Sequence, residues 1–244
     1  MPLNKGFVLA SRPQGAARED NFRFFEREIG APGPGQVLVR NLWLSLDPYM
    51  RGRMNEGRSY VPPLAVGDVM CGEVVGEVVE SRNGKFAAGD MIHGDLGWQQ
   101  YAVSNGKGLR KVDPRVPLTA NLSVVGMPGA TAWRGLVDIG EPKAGETVVV
   151  SAAAGAVGSV VGQIARLKGC RAIGIAGGAD KCRYVVEKLG FDACVDYKAH
   201  RDPKALSAAL KEAAPDGIDG YFENVGGLKV RSPVSMATRN TLIG

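Results

Sequence analysis

Ala153-Ala154-Gly155-Ala156-Val157-Gly158 is a turn of small residues with chemical potential. It follows an apolar β-branched run, Thr147 to Val150, and precedes a segment in which Val160, Val161, Ile164, Ala165 and Leu167 recur at helical spacing. Strand, small-residue turn and helix in that order make a seat for a pyrophosphate. Gly155 lets the main chain approach the phosphates, and Gly158 lets the helix sit close on the strand. Free amides at the helix start then face the anion, reinforced by the helix dipole. Ala153 stands where the fingerprint's first glycine would be. The pattern therefore also fits an ordinary strand-helix turn whose small residues serve only packing.

The next strand decides between nicotinamide dinucleotides. A sheet that selects NAD ends its second strand with Asp or Glu, which accepts a hydrogen bond from the ribose 2′-hydroxyl. Here that position reads Ala176-Gly177-Gly178, with no carboxylate to repel a phosphate. Lys181 follows within one helical turn, and Tyr197-Lys198 ends the third strand close by in such a sheet. A cation, a phenol hydroxyl and open glycine backbone make a seat for a 2′-phosphate, so the expected cofactor is NADP. Asp180 cuts against this unless, as an N-terminal helix residue, it points elsewhere. The plainer reading of Lys181 is a solvated helix lysine.

The elements that position these residues fall into two parts. The first is β-rich and irregular, with strand signal in Gly6–Ala10, Phe22–Ile29, Gln36–Ser45, Val69–Glu80, Phe86–Gly94 and Trp98–Val103. Leu46-Asp47-Pro48-Tyr49-Met50-Arg51 reads as a turn opening a short helix, with Asp47 as cap and Pro48 in the first turn. From Met127 the character changes: a helix after Pro128, a loop over Ile139–Gly145, then strict alternation of strands and helices. The strands are Thr147–Val150, Arg171–Ala176, Ala193–Asp196 and Gly220–Asn224; the helices follow the glycine turn and span Ala179–Leu189 and Pro203–Ala213. That alternation predicts a parallel, doubly wound sheet. The expected domains are 1–125 and 126–244, the second an incomplete dinucleotide-binding sheet. Its tail, Leu228 to Gly244, shows no clear period, which leaves four strands.

Composition narrows the class. The 244 residues are 45% hydrophobic and 23% charged, with 34 glycines and a formal charge of +5, an ordinary globular balance. Basic residues are dispersed, which argues against nucleic acid. No long apolar span and no signal-peptide architecture are evident, which argues against a membrane and for the cytoplasm. Cys71, Cys170, Cys182 and Cys194 are far apart in sequence with no Cys-x-x-Cys. They read as free, mostly buried thiols, not as a disulfide framework.

Assembled, these residues resemble the medium-chain dehydrogenase/reductase superfamily. The likeness is to its zinc-independent branch of prostaglandin reductases, plant double-bond reductases and bacterial curcumin reductases. It runs from Leu9 to Gly227 and rests on five motifs. These are Leu46–Arg51, Gly126–Gly129 with Thr131-Ala132, Ala152–Ala165, Leu189–Asp192 and Phe222–Gly227. The resemblance implies an α/β protein, with a GroES-like β-rich domain followed by a partial Rossmann doubly wound parallel sheet. It places the diphosphate loop on Ala156, Val157, Gly158 and Ser159. The 2′-phosphate lysine falls on Lys181 or, without a gap, on Cys182. Tyr197 matches a phosphate-contacting tyrosine and Asn224 a cofactor-contacting asparagine. Met127 and Thr131 match the motif beside the nicotinamide, and Tyr49 a tyrosine of the substrate cleft. Zinc-dependent cousins carry Gly-His-Glu where this chain has Cys71-Gly72-Glu73, and only His93 and His200 exist, so no metal is expected.

Such reductases reduce the carbon-carbon double bond of α,β-unsaturated ketones and aldehydes. The cofactor carries the hard chemistry and the protein supplies position and electrostatics. The enolate needs hydrogen-bond donors, and Tyr49 is the candidate, as donor or as cleft wall. The expected partner is a small enone or enal. Family members are homodimers and run longer than this chain, which raises a rival expectation: a shortened, weakly NADP-binding or non-catalytic remnant whose exposed strand edge and apolar surface would invite association and whose homodimer is in doubt. Quinone reduction by the same hydride geometry is a third.

Overall fold

A computed structural model of the protein describes residues 2–57, 61–113, 115–200 and 202–225, together with the backbone of 238–243. The chain divides into two compact units, Met1–Leu122 and Ser123–Gly244.

In the first unit, β1 (Leu3–Leu9) pairs antiparallel with β2 (Phe22–Glu28). A five-stranded antiparallel sheet has the order β6-β3-β4-β5-β7. Its strands are β3 (Val37–Leu44), β4 (Glu73–Ser81), β5 (Met91–Asp95), β6 (Tyr101–Ser104) and β7 (Arg110–Lys111). Several strands are shorter than their apolar runs predict. Val69 to Gly72 stays out of β4 because its main chain is spent elsewhere. Met70 donates its amide to the Phe7 carbonyl and accepts the Trp98 amide, while Gly72 accepts that of Gly97. The broken alternation of β3 has a cause too: its pairing with β4 slips twice, at Leu38/Val39 and at Asn41/Trp43. Val37, Val39, Val78, Phe86 and Ile92 fill the core of this sheet. A second cluster gathers Leu9, Met50, Met54, Leu64, Met70 and Cys71.

The second unit opens with α2 (Met127–Trp133), which runs on as a π-helical stretch over Arg134–Ile139 where the sequence had predicted a simple helix and a loop. The parallel sheet follows: β8 (Thr147–Ser151), β9 (Arg171–Ala176), β10 (Ala193–Asp196), β11 (Ile218–Phe222) and β12 (Thr238–Ile243), in the order β10-β9-β8-β11-β12. All neighbouring pairs are parallel. The first three strands run outward in one direction and the last two in the other, as a doubly wound sheet requires. β8 shows why. All five of its residues are buried. Val148 and Val150 pack with α3 (Ala156–Leu167) and with Val185 of α4 (Ala179–Glu187), whereas Val149 packs with Leu206 and Leu210 of α5 (Pro203–Ala213). Helices therefore cover both faces.

The expectation of four strands is corrected by β12, a fifth, parallel to β11. Thr238, Thr241 and Ile243 favour a strand although the tail has no clear apolar period, and the segment pairs along the open hydrogen-bonding edge of β11. The rest of the tail, 228–237 and Gly244, lies outside the described residues, as do Gly226 and Gly227 of the last family motif.

Candidate functional site

Because β8 to β11 are parallel, they deliver Ser151, Ala176, Asp196 and Phe222 to one end of the sheet. The turn after β8 is tight. Ala152 takes φ +47°, a left-handed conformation that favours glycine. The amide of fully buried Ala153 donates to the Ile175 carbonyl at 3.1 Å. Gly155 caps α3 with φ −84° and ψ 174° and no side-chain bond. The first helical bond is donated by Ser159 to Gly155, so the amides of Ala156, Val157 and Gly158 remain free for an anion, as the helix geometry dictates. A Cβ on Gly158 would run into the Ala152 carbonyl, with its carbon at 2.9 Å. Gly158 thus fits the helix to the turn. Gly162, not singled out from sequence, lets the same helix close on the Phe191 ring.

At the end of β9, the Tyr197 ring lies over Gly177: a Cβ there would meet its Cε1, Cζ and hydroxyl oxygen, each at 2.9 Å. Gly178 has φ +107° and donates its amide to Asp196 Oδ1 at 2.7 Å; the Lys198 amide donates to the same oxygen at 2.9 Å. These amides, Gly178 first, hold the Asp196 carboxyl below its usual range. Sequence reasoning missed Asp196, although an acidic residue at a strand end followed by a turn is a signal for such an anchor. Lys181 is exposed on the first turn of α4. Asp180 is occupied by an ion pair with Arg183 on its own helix. Cys182 turns instead to Cys194, whose thiol lies 2.8 Å away. The two residues left open by alignment are therefore distinct in placement: Lys181 is in solvent, Cys182 against the sheet.

At the switch between β8 and β11 the two strand ends are tied together. Asn224 donates its amide to Ser151 Oγ at 2.7 Å and its Nδ2 to the Ser151 carbonyl at 2.8 Å. Ser151 donates in turn to Glu223 Oε1 at 2.8 Å, and buried Tyr221 donates to Glu223 Oε2 at 2.6 Å. Ser151 and Glu223 were also missed; a hydroxyl ending an apolar strand run was the available clue. On α2, Met127 and Thr131 are both exposed, while Pro128, Gly129 and Ala132 form the buried face. Gly129 sits against the Val124 main chain, and α2 packs beside α3.

Tyr49 belongs to the first unit, where it opens α1 (Tyr49–Arg53) and packs, half-buried, on the cluster around Met50 and Cys71. The expected Asp47 side-chain cap is corrected. Pro48, already helical at φ −57°, is the cap residue, and the Asp47 carbonyl receives the Met50 amide at 3.1 Å. Asp47 Oδ2 is buried without a partner. Burial, then the nearby Asp95, Cys71, Glu73 and Asp47, push the Tyr49 phenol well above its ordinary value. Tyr49 is therefore a neutral donor. Glu73 lies 3.3 Å from His93 Nε2, and that hydrogen bond, more than any other influence, holds its carboxyl below the usual range. Asp95 accepts the Gly72 amide at 2.9 Å. Among the described residues, no group of three or more His, Cys, Asp or Glu is placed to hold a metal ion.

Comparison with known proteins agrees with this geometry. Residues 5–112 match the family model described as the N-terminal domain of oxidoreductase, and residues 156–241 that described as zinc-binding dehydrogenase. The chain is 54% identical over 226 residues to the NADPH-dependent curcumin reductase of Escherichia coli (strain K12), covering 92% of this chain and 64% of that protein. It is 48% identical over 231 residues to the NADP(+)-dependent 2-alkenal reductase of Nicotiana tabacum, covering 92% and 66%. The chain thus spans a little under two thirds of these relatives. The crystal structure of CurA in complex with NADPH from Vibrio vulnificus superposes with a TM-score of 0.89 at 47% identity, covering 96% of this chain and 68% of that one. With both units matched in order, the chain belongs to the zinc-independent branch of the medium-chain dehydrogenase/reductase superfamily.

Proposed function

We propose that this protein is an NADPH-dependent reductase of the carbon-carbon double bond of α,β-unsaturated ketones and aldehydes. The observation that carries this reading is the strand-end cluster in which free α3 amides, the Gly177–Tyr197 contact and the Ser151–Asn224 tie lie at one end of a parallel sheet. Ligands of such sheets bind outside the carboxyl ends of the strands, at the switch point. The amides of Ala156, Val157 and Gly158, with Ser159 behind them, hold the diphosphate. Lys181 and Tyr197 hold the 2′-phosphate, with Cys182 supporting from beneath. Asn224, Met127 and Thr131 take the nicotinamide side. No carboxylate ends β9 to favour NAD; of the two nearby, Asp196 is spent on the Gly178 amide and Asp180 on an ion pair with Arg183.

When bound, NADPH supplies the hydride. Tyr49 donates a hydrogen bond to the substrate oxygen, where negative charge develops during conjugate reduction. Its raised pKa keeps the phenol protonated, so it can donate that hydrogen bond. The free thiols suit a reducing cytoplasm, which we take as the location. The reading is tested by following NADPH oxidation with a simple enone and with a quinone of similar size. Faster oxidation with the enone is expected, and quinone preference would replace this reading with quinone reduction.

A further inference from the structure

Cys182 and Cys194 lie twelve residues apart, on α4 and at β10, yet their sulfur atoms approach to 2.8 Å. That separation is only about 0.8 Å longer than a disulfide bond. The floor beneath is cleared for this. Gly174 of β9 has no side chain, and a Cβ there would lie 3.3 Å from the Cys194 sulfur and 2.9 Å from Val185. Both cysteines are half-buried and reachable. Cys71 and Cys170 differ: each is buried, and the Cys170 thiol already donates to the Lys143 carbonyl. The pair also lies at a sensitive place. Lys181 precedes Cys182, and Asp196 and Tyr197 follow Cys194 by two and three residues.

We propose that Cys182 and Cys194 form a reversible redox site, oxidised to an intramolecular disulfide by exchange with a small-molecule disulfide. The Cys182 thiolate attacks one sulfur of that disulfide, releasing one small thiolate and leaving a mixed disulfide. Cys194, its proton passing to the released thiolate, then attacks the Cys182 sulfur and expels the second small thiolate, which takes up from solvent the proton that Cys182 lost on ionising. Two protein thiols are oxidised by two electrons and one small disulfide is reduced to two thiols. Burial, then the bond to Cys182, raises the Cys194 pKa, which suits it to resolve the mixed disulfide and not to start the exchange. Pulling α4 towards β10 draws Lys181 from its solvent position, so oxidation weakens the 2′-phosphate seat. That last consequence rests on the NADPH reading; the disulfide itself does not.

The whole chain is incubated with oxidised glutathione, quenched with an alkylating agent and analysed by mass spectrometry and peptide mapping. The expected product has lost two hydrogens, keeps two alkylatable thiols at Cys71 and Cys170, and contains a Cys182–Cys194 link that a dithiol reduces. Cys194→Ser is expected to stop at a glutathione adduct on Cys182. Four alkylatable thiols, or an adduct without the link in the unaltered chain, overturn the assignment. NADPH and NADH titrations of both forms test the consequence: oxidation is expected to weaken NADPH by at least about threefold and leave NADH unchanged. Unchanged NADPH affinity overturns the link to the cofactor. Failure of the reduced chain to bind either nucleotide refutes the cofactor reading instead, with the redox site judged on its thiol count.

Discussion

Gly158, Lys181 and Asp196 each make one physical statement about the strand-end cluster. A side chain on Gly158 would enter the main chain of Ala152 and Ala153. Gly158→Val is expected to lose roughly 1–3 kcal/mol, as overpacking does, and to weaken NADPH binding; denaturant unfolding beside a binding titration checks both. Lys181→Glu reverses a charge in solvent, so it should leave the melting temperature unaltered, weaken NADPH by about tenfold or more and spare NADH. Equal losses for both nucleotides would place the phosphate elsewhere. Asp196 carries a pH signature. Its carboxyl is more acidic in the fold than in the unfolded chain, so its contribution is full above the unfolded value near 3.9 and drains as pH falls through the lower folded value. The melting-temperature gap between the protein and Asp196→Asn should be present at neutral pH and close in acid; a gap that widens in acid contradicts the assignment. Much of this cluster was legible. Strand order alone sets Tyr197 beside Gly177, and glycine spacing marks the α3 turn. Asp196 and Ser151 left only a faint local signal, a polar residue at a strand end, and the Cys182–Cys194 approach left none, because it joins a helix to a strand twelve residues away.

At the scale of elements, α3 shows how sequence and packing agree. Its apolar stripe faces the sheet, and Gly162 lets Phe191, only 3% exposed, lie against the helix. Phe191→Ala is expected to cost about 3–5 kcal/mol through the cavity it leaves, read by denaturant unfolding; a loss under about 1 kcal/mol would mean that the contact bears little of the packing. Where prediction and element disagree, the reason is tertiary in the sheets and local at the α1 start. The Val69–Glu80 run predicts a long strand, but Met70 and Gly72 hydrogen-bond to Phe7, Trp98 and Gly97 and leave β4 to begin at Glu73. The Asp47 cap fails because Pro48 is itself helical, and its fixed φ suits the helix start. β12 forms on the edge of β11 from a segment that lacks a clear apolar period.

At the scale of the whole molecule, two units of different architecture match two family models in order, and the chemistry assigned to the protein rests on the second. The periodicity of residues 147–222 was enough to announce a doubly wound sheet, because β8 is apolar on both faces and every helix follows a strand. The cofactor preference depends on less, namely the want of a carboxylate at the end of β9 and the presence of Lys181 and Tyr197 beside it. Titration of the chain with NADPH and with NADH, followed by nucleotide fluorescence, tests that claim most directly. Binding of NADPH tighter than NADH by about tenfold or more is the predicted result; equal affinity for the two, or binding of neither, would contradict it.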